Sequence, residues 1–298
     1  MRSIRFAAVL AACLILAFSC KNNTPEMSTP TPPPSAQTVV LTPAWSTDTL
    51  LTTTESVYYD ETYNVLYVSC IGNVPPDAKD GDGFIAKVGL DGKIIDRQWI
   101  TGLDGPKGMG KYGEYLYIAD VTRVVQVDVI SGKVLATIEI PGAAFLNDIT
   151  VDQNGRVYIS DTNNNTIYVI DGVEPSVFMQ DTLFGGPNGL LVDGDRLIMA
   201  AFNVGQVFTI TLQDPHATPV CDELPGGDGV VKYGNNFLIS NWNGEIYAVS
   251  ADWKKEKVLD TKVNNKNAAD IAVIPNMKLV LVPTFFGNTV DAYRISTE

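Results

Sequence analysis

Leu146–Asp171, LNDITVDQNGRVYISDTNNNTIYVID, holds one complete copy of the unit from which the chain is built. Ile149 and Val151, then Val157 and Ile159, recur at period two, the spacing of a strand with one face buried. Asp152-Gln153-Asn154-Gly155 between these runs is a tight-turn sequence whose glycine tolerates positive φ. Asn163-Asn164-Asn165 makes a second turn, Ile167, Val169 and Asp171 continue the alternation, and Ser176–Met179 supplies a fourth run.

Five relatives of this unit follow from laying it over the chain. The opening residues are Glu55 (ESVYYDETYNVLYVSC), Lys107 (KGMGKYGEYLYIAD), Asn147, Asn188 (NGLLVDGDRLIMAA), Asp228 (DGVVKYGNNFLISN) and Ala269 (ADIAVIPNMKLVLVP), spaced by 52, 40, 41, 40 and 41 residues. Four short strands per unit at a period near forty predict an all-β, six-bladed β-propeller with four-stranded antiparallel blades over residues 39–298. The sixth unit ends after three runs. The strand-like residues Val39–Leu41 and Trp45–Leu51 are therefore expected to complete the last blade and remove two open sheet edges.

Residues 1–20 read as a leader: Arg2 and Arg5, an apolar run from Phe6 to Phe18, and Ala17-Phe18-Ser19-Cys20, which resembles a bacterial lipoprotein cleavage site. The run is too short for a stable membrane span. Cys20 is then the expected lipidation site, and the lipid the only membrane contact, at an outer membrane on its periplasmic or surface face. Residues 21–38, rich in proline and threonine, read as an extended tether.

The chain has 34 acidic and 21 basic residues. Loss of Arg2 and Arg5 leaves 19 against 34, or −15, a charge that repels phosphate backbones and excludes nucleic acid as a partner. Cys70 and Cys221 fall on separate blades and are expected to be free thiols. The single histidine, His216, lies in a turn sequence and makes no Ser-His-Asp triad. Asp77–Gly83, DAKDGDG, lies in the one long insertion (Ile71–Phe84). Val88 stands where an EF-hand needs its closing glutamate, so an acidic solvated loop is expected there.

The opening residues converge on the propeller axis as Glu55, Lys107, Asn147, Asn188, Asp228 and Ala269. The next positions are Ser56, Gly108, Asp148, Gly189, Gly229 and Asp270. Clustered carboxylates and amides suit a hard cation, or else simply line a wet channel.

Glu55, Asn147 in LNDITVD, Asn188 in PNGLLVD and Asp228 in GDGVV resemble the metal-binding pattern of the gluconolactonase and senescence-marker-protein (regucalcin) family. NHL-repeat propellers share similar phrases. The first resemblance implies one divalent cation, calcium first with zinc or magnesium as alternatives, held by Glu55, Asn188 and Asp228. It also implies Asp228 as general base, and Lys107, Asn147, Asp148 and Asp270 as substrate-binding candidates. Phe145 stands where the family has a substrate-gripping arginine, and Glu55 is followed by Ser56-Val57 where the family has Gly-Pro. Lys107, entering from the blade opposite Asp228, is expected to take the cation's place or to grip an anionic substrate.

Two readings stand. One is a metal-dependent lactonase or ester hydrolase acting on a small, polar, sugar-derived compound in the cell envelope. The other is a non-catalytic propeller binding a glycan, peptide or partner protein. Trp242, Phe285 and Phe286, just after second strands, are candidate stacking platforms.

Overall fold

The computed structural model describes residues 38–297, which form one body. The leader, Cys20 and nearly all of the tether lie outside the described residues. The strands, in chain order, are β1 (Val39–Ser46), then β2–β5 (Thr54–Asp60, Val65–Cys70, Gly83–Val88, Ile94–Leu103) in blade 1 and β6–β9 (Pro106–Tyr112, Tyr115–Asp120, Arg123–Asp128, Lys133–Glu139) in blade 2. Blade 3 is β10–β13 (Leu146–Val151, Val157–Asp161, Thr166–Asp171, Glu174–Gln180), and blade 4 is β14–β17 (Pro187–Asp193, Arg196–Ala201, Val207–Thr211, Ala217–Cys221). Blade 5 is β18–β21 (Gly227–Tyr233, Asn236–Asn241, Glu245–Val249, Lys255–Asp260), and blade 6 contains β22–β24 (Ala272–Ile274, Leu279–Pro283, Val290–Thr297). Every blade is a four-stranded antiparallel meander, and the sixth is completed by β1 in the order β1-β24-β23-β22.

That closure is the one the shortened sixth repeat predicts. Val39 pairs with Thr297 and Ser46 with Asp291, across a bulge between Pro43 and Trp45. The added strand stops at Ser46, so Leu51 is not part of it. Leu51 is instead fully buried between blades 6 and 1.

Burial explains why the middle strands read as nearly continuous apolar runs. In β11, Val157 and Ile159 pack toward blade 2, whereas Tyr158, on the other face, packs toward blade 4. Both faces of each blade are thus covered by neighbours, and six interblade cores run round the ring. Each fully buried aliphatic side chain contributes about 1.5–3 kcal/mol. Outermost strands such as β9 and β13 have one edge in water and are largely exposed.

The insertion in blade 1 has two halves, and the acidic one, Asp77–Gly83, is largely the solvated loop expected of it. Its acidic half is exposed, with Asp82 accepting from the Asn73 backbone N–H at 3.0 Å. Its first half, Ile71–Pro76, instead folds inward over the ring's central cavity. Cys70 is buried in β3 and Cys221 ends β17, and both are free thiols.

Candidate functional site

Five of the six innermost strands open with an irregularity in their pairing. The ladder between first and second strands slips between Thr54 and Ser56, Pro106 and Met109, Leu146 and Ile149, Pro187 and Leu190, and Gly227 and Val230. A bulge of this kind re-aims the side chains it contains, and the first residues inside these five are Glu55, Lys107, Asn147, Asn188 and Asp228. All five line one cavity of about 600 Å³ on the axis, and all are buried. Side chains contributed by five different blades therefore meet in one volume, as the repeat register requires.

The bulges are pinned from the second strand. Ser69 Oγ accepts the Ser56 N–H, Ser160 Oγ that of Asp148 and Ser240 Oγ that of Gly229, each at 2.9 Å. The sequence signal for this device is the serine in YVSC, YISD and LISN. At Gly189 a side chain is impossible, because a Cβ there would overlap the Asp228 carbonyl oxygen of the next blade.

Asp148 and Asp270 do not join the other five. They line a separate cavity of about 270 Å³ farther along the channel, among residues such as Tyr58, Ile149 and Val230. Asp148 accepts the N–H groups of Ile149 and Leu190, both at 2.6 Å, and so straps blade 3 to blade 4. Asp270 accepts from Ser56 Oγ at 2.5 Å and donates its own N–H to the Glu55 carbonyl at 3.0 Å, joining blades 6 and 1. In blade 3 the bulge separates neighbouring positions: Asn147 faces the large cavity and Asp148 the smaller one.

Lys107 also departs from expectation. Its ammonium donates to the carbonyls of Pro76 and Gly105, both at 2.9 Å, and sits 4.3 Å from the centre of the Phe145 ring. It is thereby committed to the inserted loop and the cavity wall, not to Asp228. Phe145, standing where an arginine was expected, supplies a cation–π surface for that ammonium.

Within the axial cavity three buried oxygens remain without partners. Glu55 Oε2, Asn188 Oδ1 and Asp228 Oδ1 are buried and accept no hydrogen bond. Asn147, by contrast, donates to Thr162 Oγ1 at 3.1 Å. The electrostatics follow from this isolation. Burial first, and then Asp270, push the Glu55 carboxyl up to about 8 against the opposing pull of Lys107. Burial pushes Asp228 well above the usual carboxylate range, helped by the negative charges of Glu55, Asp270 and Asp148. Burial likewise lowers the Lys107 ammonium, while Glu55, Asp120 and Asp77 oppose the shift. A cation would offset the two carboxyl shifts, while it would disfavour the Lys107 ammonium further.

Glu55, Asn188 and Asp228 form an all-oxygen donor set, suited to a hard ion such as calcium or magnesium; zinc more often takes histidine or cysteine. Among the described residues no group of three or more His, Cys, Asp and Glu side chains is gathered to hold a metal. An ion on the axis would therefore use the Asn188 amide and complete its shell from ligand or water.

The rest of the cavity is apolar. Residues one or two positions after the second strands form an upper tier, and of these Ile71, Phe202, Trp242 and Phe285 line the cavity. Trp242, Phe285 and Phe286 pack edge to face, with ring centres 4.8–6.0 Å apart and interplanar angles of 72–87°. The loop entering blade 3 is fixed by Asp161, which accepts the N–H groups of Ala144 at 2.8 Å and Phe145 at 3.0 Å. His216 lies in an exposed turn before β17 and takes no part in the cavity.

An NHL repeat model matches residues 144–170, nearly the stretch from which the fold was read. The chain is a six-bladed β-propeller carrying an NHL repeat. Similar solved structures include virginiamycin B lyase from Staphylococcus aureus, in a catalytically inactive histidine-to-alanine variant with quinupristin: 13% identity, TM-score 0.61, covering 87% of this chain and 99% of that one. A streptogramin B lyase matches at 11% identity and TM-score 0.63, covering 87% and 98%. A nidogen/laminin complex contains a chain at 20% identity and TM-score 0.58, covering 70% and 80%. These likenesses establish the architecture. None of the curated proteins matches the sequence.

Proposed function

We propose that the propeller is a divalent-cation-dependent hydrolase of a lactone or related ester, acting at the axial cavity. The observation that carries this reading is the convergence of three buried, unpartnered oxygens, from Glu55, Asn188 and Asp228, on one space. A buried acceptor with no donor costs about 1–3 kcal/mol, and three together are accounted for by a cation they hold in common. When bound, such an ion polarises a carbonyl and acidifies water.

The chain's own groups would do the rest. Asp228, whose carboxyl is raised by burial and by its acidic neighbours, faces the cavity and would take the proton from the attacking water. Asn147, held by Thr162, faces the same cavity and would orient the substrate. Lys107 would hold the inserted loop over the site through Pro76. The gluconolactonase resemblance at Glu55, Asn188 and Asp228 supports the same assignment. A reading in which Lys107 replaces the ion has less support, because its ammonium is already bonded to two carbonyls.

Titration calorimetry with calcium and magnesium on wild type, Glu55→Gln and Asp228→Asn tests the proposal, together with lactone and ester turnover before and after chelation. The expected result is binding and turnover in wild type, both lost in the variants. Absence of ion binding in wild type would overturn it.

A further inference from the structure

We infer that the site takes a ligand with an apolar, acyl- or aryl-type body carried outward from a small polar head, and that it is not a polyol site. This rests on the axial-cavity reading above but not on turnover.

Apart from Trp242, the polar side chains of the cavity are confined to its floor. Glu55, Lys107, Asn147, Asn188 and Asp228 are all buried, and above them the side chains are aliphatic, proline or aromatic, with the indole N–H of Trp242 the one polar group. The gradient ends in water: Val74 and Phe286, at the mouth, are 54% and 58% exposed. A sugar lactone has a hydroxyl on nearly every carbon and would set several of them against Ile71, Val74 and Phe202 with nothing to bond. Each such burial is unfavourable. Nor do the rings form one flat stacking platform, because Trp242, Phe285 and Phe286 meet at steep angles of 72–87°. A methylene chain or aryl group meets only favourable contacts on the same path. Polar head at the floor and apolar body toward Phe286 is the one orientation that matches both ends.

The test uses 2-alkylcyclopentanones, ring ketones shaped like butyrolactones that no hydrolase opens, with chains of one to eight carbons. Binding to the full chain is measured by calorimetry in the presence of calcium, beside glucono-δ-lactone. The dissociation constant should fall about fourfold per added methylene until the chain reaches the mouth, and the sugar lactone should bind more weakly than the octyl ketone. Phe286→Ser, at an exposed position, should flatten the chain-length dependence, while Val263→Ser, outside the cavity, should leave it intact. A chain-length dependence accompanied by no lactone turnover would keep this inference and remove the hydrolase reading. Affinity independent of chain length, or tighter binding of the sugar lactone, would overturn the inference whatever the enzyme assay shows.

Discussion

Replacing Glu55 with glutamine should make the ion-free protein more stable at neutral pH and leave it unchanged in acid. The carboxyl ionises near 4.5 in an unfolded chain and is pushed to about 8 in the fold, mainly by burial. Between these values the folded state binds the additional proton, so stability is full below the unfolded value and is lost as pH rises. At about pH 7 the interval is 7 − 4.5 = 2.5, and at about 1.4 kcal/mol for each pH step the loss is on the order of 3 kcal/mol. Glutamine keeps the shape and cannot ionise. At about 2–4 °C per kcal/mol for a body of this size, the variant's Tm should exceed wild type by several degrees at pH 7 in chelator, and by nothing at pH 4. The assay is a set of circular-dichroism melts from pH 4 to pH 8. Calcium should reverse the order at pH 7, since the wild-type carboxylate gains a partner and the amide holds the ion less well. Equal melting of both proteins across the whole pH range in chelator would refute the argument from burial.

Two further outcomes follow from the fold. A protein beginning at Thr53 lacks β1, exposes the edge of β24 and loses the buried Val39 and half-buried Trp45; its Tm should fall by at least about 10 °C, as read by calorimetric melting. Asp161→Ala leaves the N–H groups of Ala144 and Phe145 without their acceptor and should cost about 2–4 kcal/mol in a urea titration. Wild-type stability in that titration would show the loop before blade 3 to be held by other means.

The ring was legible because its cause is local and repeated. A strand-turn-strand unit that buries both faces must recur to cover itself, and the missing fourth strand after Val290–Thr297 has one plausible supplier, Val39–Ser46. The convergence of Glu55, Asn188 and Asp228 was legible for the same reason, since equivalent positions in a ring point to its centre. The partner of Lys107 was not, because it is a backbone carbonyl in an insertion, Pro76, and no side-chain pattern records where a loop's carbonyl comes to rest. The separation of Asp148 from Asn147 depends on the bulge at the start of β10, which adds a residue without changing the alternation visible in the sequence. Trp242, Phe285 and Phe286 stood out as aromatic residues near blade corners. Their mutual edge-to-face packing, which decides what they can bind, is a property of three dimensions alone.

The pairing of β1 with β24 has a consequence for biosynthesis. Of the described residues, β1 is among the first to leave the ribosome and β24 among the last, so the sixth blade cannot assemble until translation of the body is essentially finished. Through that interval β1 is an unpaired strand carrying Val39, Leu41 and Trp45, and the growing arc of blades has an apolar flank at either end. A nascent chain of this kind needs shielding by a holdase or by rapid completion, and ribosome stalling late in the message would be more damaging than stalling early.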